Sequence, residues 1–331
     1  MKKYLFTILL LVTLIPARAG ADSSAGNLTQ IIPPNKSFVT SEFISIVLAT
    51  SESTADEIKI FVNDKKQPIR KKIVKSHYSC FDGVRLSFGI NRIKIVSFKA
   101  GEKYEEINSQ VFFKSDLSPN TAMAPPEFGR YVFHNDTREK TCTPCHQLDF
   151  SKVDAQKSAA EQSPCFSCHK KMLSTYKFVH GPAAVWSCLM CHDGKSRKVK
   201  LAVQKPEEKM CANCHENSWA SKKYTHGPTA AGNCATCHNP HAADDPNFLR
   251  LSAGDLCAAC HEDVLFRPHI LSSFSFGGGH PVSRSPDPFN PGKDLTCASC
   301  HNPHASNSPI FLNTPEEPIA ISAFCRSCHR M

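Results

Sequence analysis

Sixteen of the seventeen cysteines in this 331-residue chain stand in pairs separated by two residues, and a histidine follows every pair at once. The eight occurrences start at Cys142 (CTPCH), Cys165 (CFSCH), Cys188 (CLMCH), Cys211 (CANCH), Cys234 (CATCH), Cys257 (CAACH), Cys297 (CASCH) and Cys325 (CRSCH). The first six begin 23 residues apart, and the last two intervals stretch to 40 and 28. Repetition at a fixed period decides architecture ahead of any propensity. The full repeat is twice as long, because His134, His180 and His226 lie 46 apart, each eight residues before the first cysteine of an odd-numbered motif. Two of the three read HGP, and His280, in GGGHP, takes the same place in a fourth unit. Four units of two motifs make an array, not one core with scattered sites.

Disulfides do not explain a histidine after every pair, and a bridge within C-x-x-C closes too small a loop to stabilise much. Zinc ribbons use paired C-x-x-C knuckles but need no trailing histidine on all of them. A thioredoxin-like redox site would occur once or twice within a βαβ pattern, which is absent. C-x-x-C-H is the attachment sequence of c-type haem. Positions i, i+3 and i+4 share one face of a helical turn, so two thiols reach one ligand edge while the histidine reaches the metal. Eight haems c are therefore expected. They would be attached through Cys142 and Cys145, Cys165 and Cys168, Cys188 and Cys191, Cys211 and Cys214, Cys234 and Cys237, Cys257 and Cys260, Cys297 and Cys300, and Cys325 and Cys328.

The proximal iron ligands are then His146, His169, His192, His215, His238, His261, His301 and His329. His134, His180, His226, His241, His269, His280 and His304 are the candidates for the opposite faces. His241 and His304 both end the string CHNPH, only three residues beyond a proximal histidine, and are expected to reach neighbouring irons. The first two units lack that string, reading CHQLDF and CHDGKS, so seven histidines face eight irons. His77, a methionine (Met123, Met172, Met190 or Met210) or nothing could complete the set, and methionine would raise that haem's potential.

The pattern HGP…CxxCHNPH…CxxCH, from His134 to Met331, resembles the doubled-CxxCH multihaem cytochromes of bacteria that move electrons across the periplasm and outer membrane. The resemblance implies closely packed, low-potential, bis-histidine haems and electron transfer as the function. It names neither donor nor acceptor. The pentahaem nitrite reductases share only haem density, and no C-x-x-C-K motif marks a catalytic haem here.

The fold class expected is a two-domain chain. Residues 28–115 carry short β-rich runs (FISIVLAT, EIKIFVND, VRLSF, NRIKIVSFKAG, SQVFFK) separated by NDKKQP, FDG and FGIN, which read as turns of a small all-β sandwich. The stretch LSFGINRIKIVSFKAGE resembles bacterial immunoglobulin-like domains, a fold that supports docking or spacing and nothing sharper. Cys80 reads as a buried, inert thiol, with an intermolecular disulfide or a haem contact as alternatives. Residues 116–133 read as a proline-rich linker, and 134–331 as a haem-nucleated domain of short helices and loops. With about 25 residues per haem that domain cannot build a conventional core around each cofactor.

Residues 1–19 combine Lys2 and Lys3, an apolar run from Tyr4 to Ile15 and the small-residue signal Ala17-x-Ala19, as in a secretory signal peptide. An exported protein in the periplasm or at the cell surface is expected. The formal charge of +9 is dispersed among histidines and cysteines, so nucleic acid is not an expected partner. Redox proteins, and a second copy in a haem wire, are. An electron relay is the function expected, against a multihaem oxidoreductase with one iron open to a small substrate. No catalytic residues are singled out.

Overall fold

The computed structural model describes residues 28–50, 55–68, 72–74, 78–115, 117, 119–140, 142–143, 146–150, 163–195, 200–266, 285–288, 290–313 and 321–328. Its N-terminal part is all β. Strands β1 (Leu28–Ile32), β2 (Ser37–Val39), β3 (Phe43–Thr50), β4 (Glu57–Val62), β5 (Lys65–Lys66), β6 (Lys72–Val74), β7 (Tyr78–Arg85), β8 (Gly89–Lys99) and β9 (Glu102–Phe113) follow in order, with β10 (Gly129–Arg130) beyond them. They form a four-stranded sheet, β1-β3-β7-β6, and a six-stranded sheet, β10-β2-β9-β8-β4-β5. Pairing is antiparallel except β2 with β9 and β10 with β2, which run parallel.

The two sheets share one core. Leu28, Ile46, Leu48, Phe81 and Val84 of the first meet Val39, Ile60, Val62, Ile93, Ile95, Val111 and Phe113 of the second. The alternation Ile93, Ile95 inward with Arg92, Lys94 outward places every second residue of β8 in that core. Two hairpins turn on adjacent residues of positive φ, Asn63 and Asp64 (49° and 64°) and Ala100 and Gly101 (51° and 82°). This backbone matches the right-handed strand twist and explains why NDKKQP and KAG end strands cleanly. In FGIN the turn is pinned from inside. The buried Asn91 amide donates to the Ser87 carbonyl (2.7 Å), and its oxygen accepts the Ser87 N–H (2.8 Å).

The FDG stretch, expected as a turn, lies instead within β7. Ile44 pairs with Val84 and Ile46 with Phe81, so Asp82 and Gly83 together oppose Ser45 in a β-bulge. Gly83 has φ +73°, and a Cβ there would meet Lys171 Cγ at 2.5 Å. β9 also starts earlier than SQVFFK suggests. Its first half, EKYEEIN, is largely exposed and charged, and it is held by pairing to β8 rather than by burial.

The chain after β9 returns to the sandwich: Leu117 and Phe128 are buried, and β10 joins the six-stranded sheet beside β2. Beyond them the chain changes to short helices, two-residue strands and loops. The helix Phe166–Ser174 rests on β3 and β7, where the ring of Tyr176 meets Phe43 edge-on at 6.1 Å. The Tyr176 hydroxyl donates to the Glu42 carboxylate, which also holds Arg85 Nε at 2.5 Å. A small apolar cluster of Leu173, Trp186 and Ala242 lies beside this contact. Among the described residues no helix is long and apolar enough to cross a membrane.

Candidate haem-binding array

Each HGP histidine begins a helical turn. His180 and His226 adopt nearly the same extended conformation (φ −64°, ψ 139° and φ −62°, ψ 142°) as N-caps of Gly181–Ala184 and Gly227–Ala230. Their carbonyls accept the N–H groups of Ala184 and Ala230 at 2.8 Å. Proline in the first turn costs no hydrogen bond and fixes φ, which accounts for the Gly-Pro that follows.

The NPH histidines sit in a second repeated device. Asn239 Oδ1 accepts the N–H of His241 (3.2 Å), and Asn302 Oδ1 accepts that of His304 (3.0 Å). These are Asx turns, in which a short polar side chain substitutes for a backbone turn. The two devices join across units: His180 N–H donates to the His241 carbonyl at 3.0 Å, and His226 N–H to the His304 carbonyl at 2.9 Å. Two-residue ladders continue each junction. β11 (Phe178–Val179) pairs with β15 (Ala242–Ala243), and β14 (Tyr224–Thr225) with β16 (Ala305–Ser306). Within one unit β12 (His192–Asp193) pairs with β13 (Ala202–Val203).

These junctions bring the histidine rings together in twos. The centroid separations are 6.2 Å for His134 and His169, 5.9 Å for His180 and His215, and 6.1 Å for His192 and His241. They are 6.1 Å for His226 and His261 and 5.9 Å for His238 and His304. Interplanar angles run from 9° to 33°. Every pair holds one CxxCH histidine and one histidine from outside the motifs. Two metal–imidazole bonds of about 2 Å each, plus the inner half of each ring, put two trans-ligating centroids about 6 Å apart. The five pairs therefore fit an iron between them.

Tautomers agree with that fit. His192 Nδ1 lies 2.9 Å from the Leu201 carbonyl, His238 Nδ1 2.8 Å from that of Asn247, and His301 Nδ1 2.7 Å from that of Ile310. A carbonyl only accepts, so Nδ1 carries the hydrogen and Nε2 keeps its lone pair for a metal. His134 Nδ1 faces the buried carboxylate of Glu139 at 2.9 Å, and that carboxylate is also bonded by Lys200 Nζ. Burial, reinforced by neighbouring imidazoles, pushes His169 and His241 down to about 4, and His226 and His304 below the ordinary value of 6.5. All four are thus held neutral, the state that ligates metal.

Phenylalanines close the array from the side. Phe150, Phe248 and Phe311 set their edges against His134 (5.8 Å), His180 (5.6 Å) and His226 (5.8 Å). Phe248 and Phe311 adopt φ +58° and +57°, a left-handed conformation that is uncommon for aromatic residues. It costs on the order of 1–3 kcal/mol where the surroundings impose it. Trp219 stacks on His304 at 5.4 Å. The phenylalanines, Glu139 and the carbonyl acceptors nine residues after His192, His238 and His301 escaped sequence reasoning. Only the recurrence of NFL and IFL at the same distance from two motifs signalled them.

From the second motif onward, consecutive motifs are spatial neighbours, by alternate edges. First cysteines meet between Cys165 and Cys188, Cys211 and Cys234, and Cys257 and Cys297. Second cysteines approach between Cys191 and Cys214, Cys237 and Cys260, and Cys300 and Cys328. Among the other expected residues, no histidine ring is stacked on His146 within the described residues. Met123 is 81% exposed, Met190 is exposed, and Met172 packs with Trp186. Cys80 is half-buried in β7 opposite Val47. His77, Cys145, His269, His280 and His329 lie outside the described residues.

Among solved structures, one titled "Crystal structure of putative beta-galactosidase from bacteroides fragilis" is similar over 23% of this chain and 11% of its own. The identity is 22% and the TM-score 0.19, too low to carry an argument. No curated protein matches the chain. The model of the doubled CXXCH motif family matches residues 180–219, 226–265 and 287–331. These three regions are doubled CXXCH units, a motif pattern consistent with a multihaem c-type cytochrome.

Proposed function

We propose that this cytochrome is an exported electron relay in which each of the eight CxxCH motifs holds one haem c. The observation that carries the reading is the set of five facing histidine pairs, each about 6 Å between centroids and each uniting a motif histidine with an outside one. The pairs obey one rule. The HGP histidine of a unit serves that unit's second motif: His134 with His169, His180 with His215, His226 with His261. The NPH histidine serves the first motif of the preceding unit: His241 with His192, His304 with His238. By the same rule His280 serves His329.

Covalent haem supplies a reversible one-electron iron couple when bound. The chain's own residues do the rest. Paired imidazoles would hold the iron from both sides, the carbonyl and carboxylate partners of Nδ1 would set how strongly each ring donates, and the phenylalanine edges would limit water. The alternating cysteine contacts favour a path that follows motif order. Residues 28–115 serve as a docking or spacing domain. What supports an immunoglobulin-like assignment is the strand order, since β1-β3-β7-β6 and β9-β8-β4-β5 correspond to the ABED and GFCC′ sheets of that fold. Partners of this relay are other redox proteins, and copies of the same chain are a further candidate. The apolar run Tyr4–Ile15 supports export to the periplasm or cell surface.

A second reading, reduction of a small substrate at one open iron, is favoured by the absence of a stacked histidine at His146 among the described residues. Intact mass and an integrated electron paramagnetic resonance spectrum of the secreted, oxidised holoprotein test both. Eight haem additions with low-spin irons that ignore nitrite are expected for the relay. A bare polypeptide mass would sink the cytochrome assignment, and a nitrite-responsive high-spin iron would put the reductase first.

A further inference from the structure

The pairing rule makes a demand on the first unit. The iron at His146 should receive its second ligand from the second unit, at the position that His241 holds in the third and His304 in the fourth. That position is three residues after the proximal His192, and Lys195 occupies it. We propose that Lys195 is the distal ligand opposite His146, giving the first haem a histidine–lysine axial pair. The proposal rests on the pairing rule above.

Three observations place this lysine. The first is its turn. Lys195 N–H donates to Asp193 Oδ1 at 2.8 Å, the same bond by which Asn239 and Asn302 hold His241 and His304. Asp193 follows its proximal histidine directly, as both asparagines do, and His192 shares with His238 and His301 the clamp of Nδ1 on a carbonyl nine residues ahead. The second is register. Lys195 lies 49 residues after His146, and His241 lies 49 residues after His192. The third is proximity. Gly194, the middle of the turn, is pressed against the segment that follows His146: a Cβ there would stand 3.1 Å from Phe150 Cβ and 3.3 Å from the Phe150 carbonyl oxygen. Gly194 takes the place of the proline in NPH, and a side chain there would sit tightly against Phe150 and Leu189. The turn thus delivers Lys195 to the side of the chain that carries the first motif.

The chemistry is a simple exchange. The ammonium releases its proton to solvent, and the freed lone pair forms the bond to iron, with no change in oxidation state. An unbranched four-carbon stem reaches as far as an imidazole and bends more readily. Arginine, which does not deprotonate in proteins, could not substitute.

The experiment compares matured holoproteins by integrated high-spin signal in oxidised electron paramagnetic resonance spectra, with haem content measured on each sample. H241A reports on the pairing rule, and K195A, K195R and K195H report on the lysine. H241A is expected to add one high-spin iron per chain over wild type, as are K195A and K195R, while K195H adds none. K195R keeps the charge, so it stays informative if the alanine variant matures poorly. If H241A adds nothing, the pairing rule is wrong. If H241A adds one iron but K195A and K195R add none, the rule stands and Lys195 is an ordinary surface lysine.

Discussion

Under the proposed pairing, Glu139 is a single carboxylate that would set the character of a haem ligand. It is buried, it holds His134 Nδ1, and Lys200 neutralises its other oxygen. A carboxylate pulls the Nδ1 proton harder than a carbonyl does, so His134 donates more strongly to its metal than the rings clamped by Leu201, Asn247 or Ile310. Replacing Glu139 by Gln should raise the midpoint potential of the haem shared by His134 and His169. The shift is on the order of 60 mV, a tenfold change in the one-electron equilibrium. A spectroelectrochemical titration with no component moved would make Glu139 a structural anchor only.

At the level of elements, the bulge in β7 is the seat of the helix Phe166–Ser174. Gly83 brings positive φ and an empty side-chain position to the place where Lys171 crosses the strand. Gly83→Ala should destabilise the chain by about 1–2 kcal/mol from the left-handed backbone alone, more if Lys171 cannot move aside. Thermal melting would show the loss, and an unchanged midpoint would mean that β7 relaxes around the new methyl. The same bulge marks where sequence reasoning stopped. Asp-Gly after an apolar run looks alike whether the chain reverses or merely kinks, and only the register against Ser45 separates the two. The site divided in a similar way. The CxxCH motifs stand out in the sequence because their spacing is fixed, and His134, His180 and His226 because they recur at one phase; the structure sets each of these three rings beside a motif histidine. Which ring turns to which motif was not legible. A 46-residue translation shows that positions are equivalent, but not whether His241 reaches back to His192 or on to His261. The backbone bond from His180 to His241 settles that direction, and it joins residues 61 apart. Lys195 stood in plain view in CHDGKS, yet it lacked the residue type being sought.

The whole molecule has two sources of cohesion. The sandwich owns a continuous apolar core across both sheets. Among its described residues the CxxCH part has one small cluster around Trp186, while its cysteines there are half-buried or exposed. Its cohesion must come largely from haem thioethers and axial bonds. The full chain made in cells without cytochrome c maturation should therefore protect amides of β3, β7, β8 and β9 from hydrogen exchange and leave residues 163–313 open. Uniform protection in both parts would refute that division. The joints between units carry a further consequence. The joints between the second and third units and between the third and fourth are each made by a histidine lent backwards from the following unit, so such a unit is a link that couples to whatever link comes next. Excision of residues 180–225 would remove one whole link of 46 residues and bring His241 to the position opposite His146. A cut that is not a whole number of 46-residue units would leave the links out of step. Inheritance can thus lengthen or shorten this array by copying a segment, and each such event alters the pairing at a single joint.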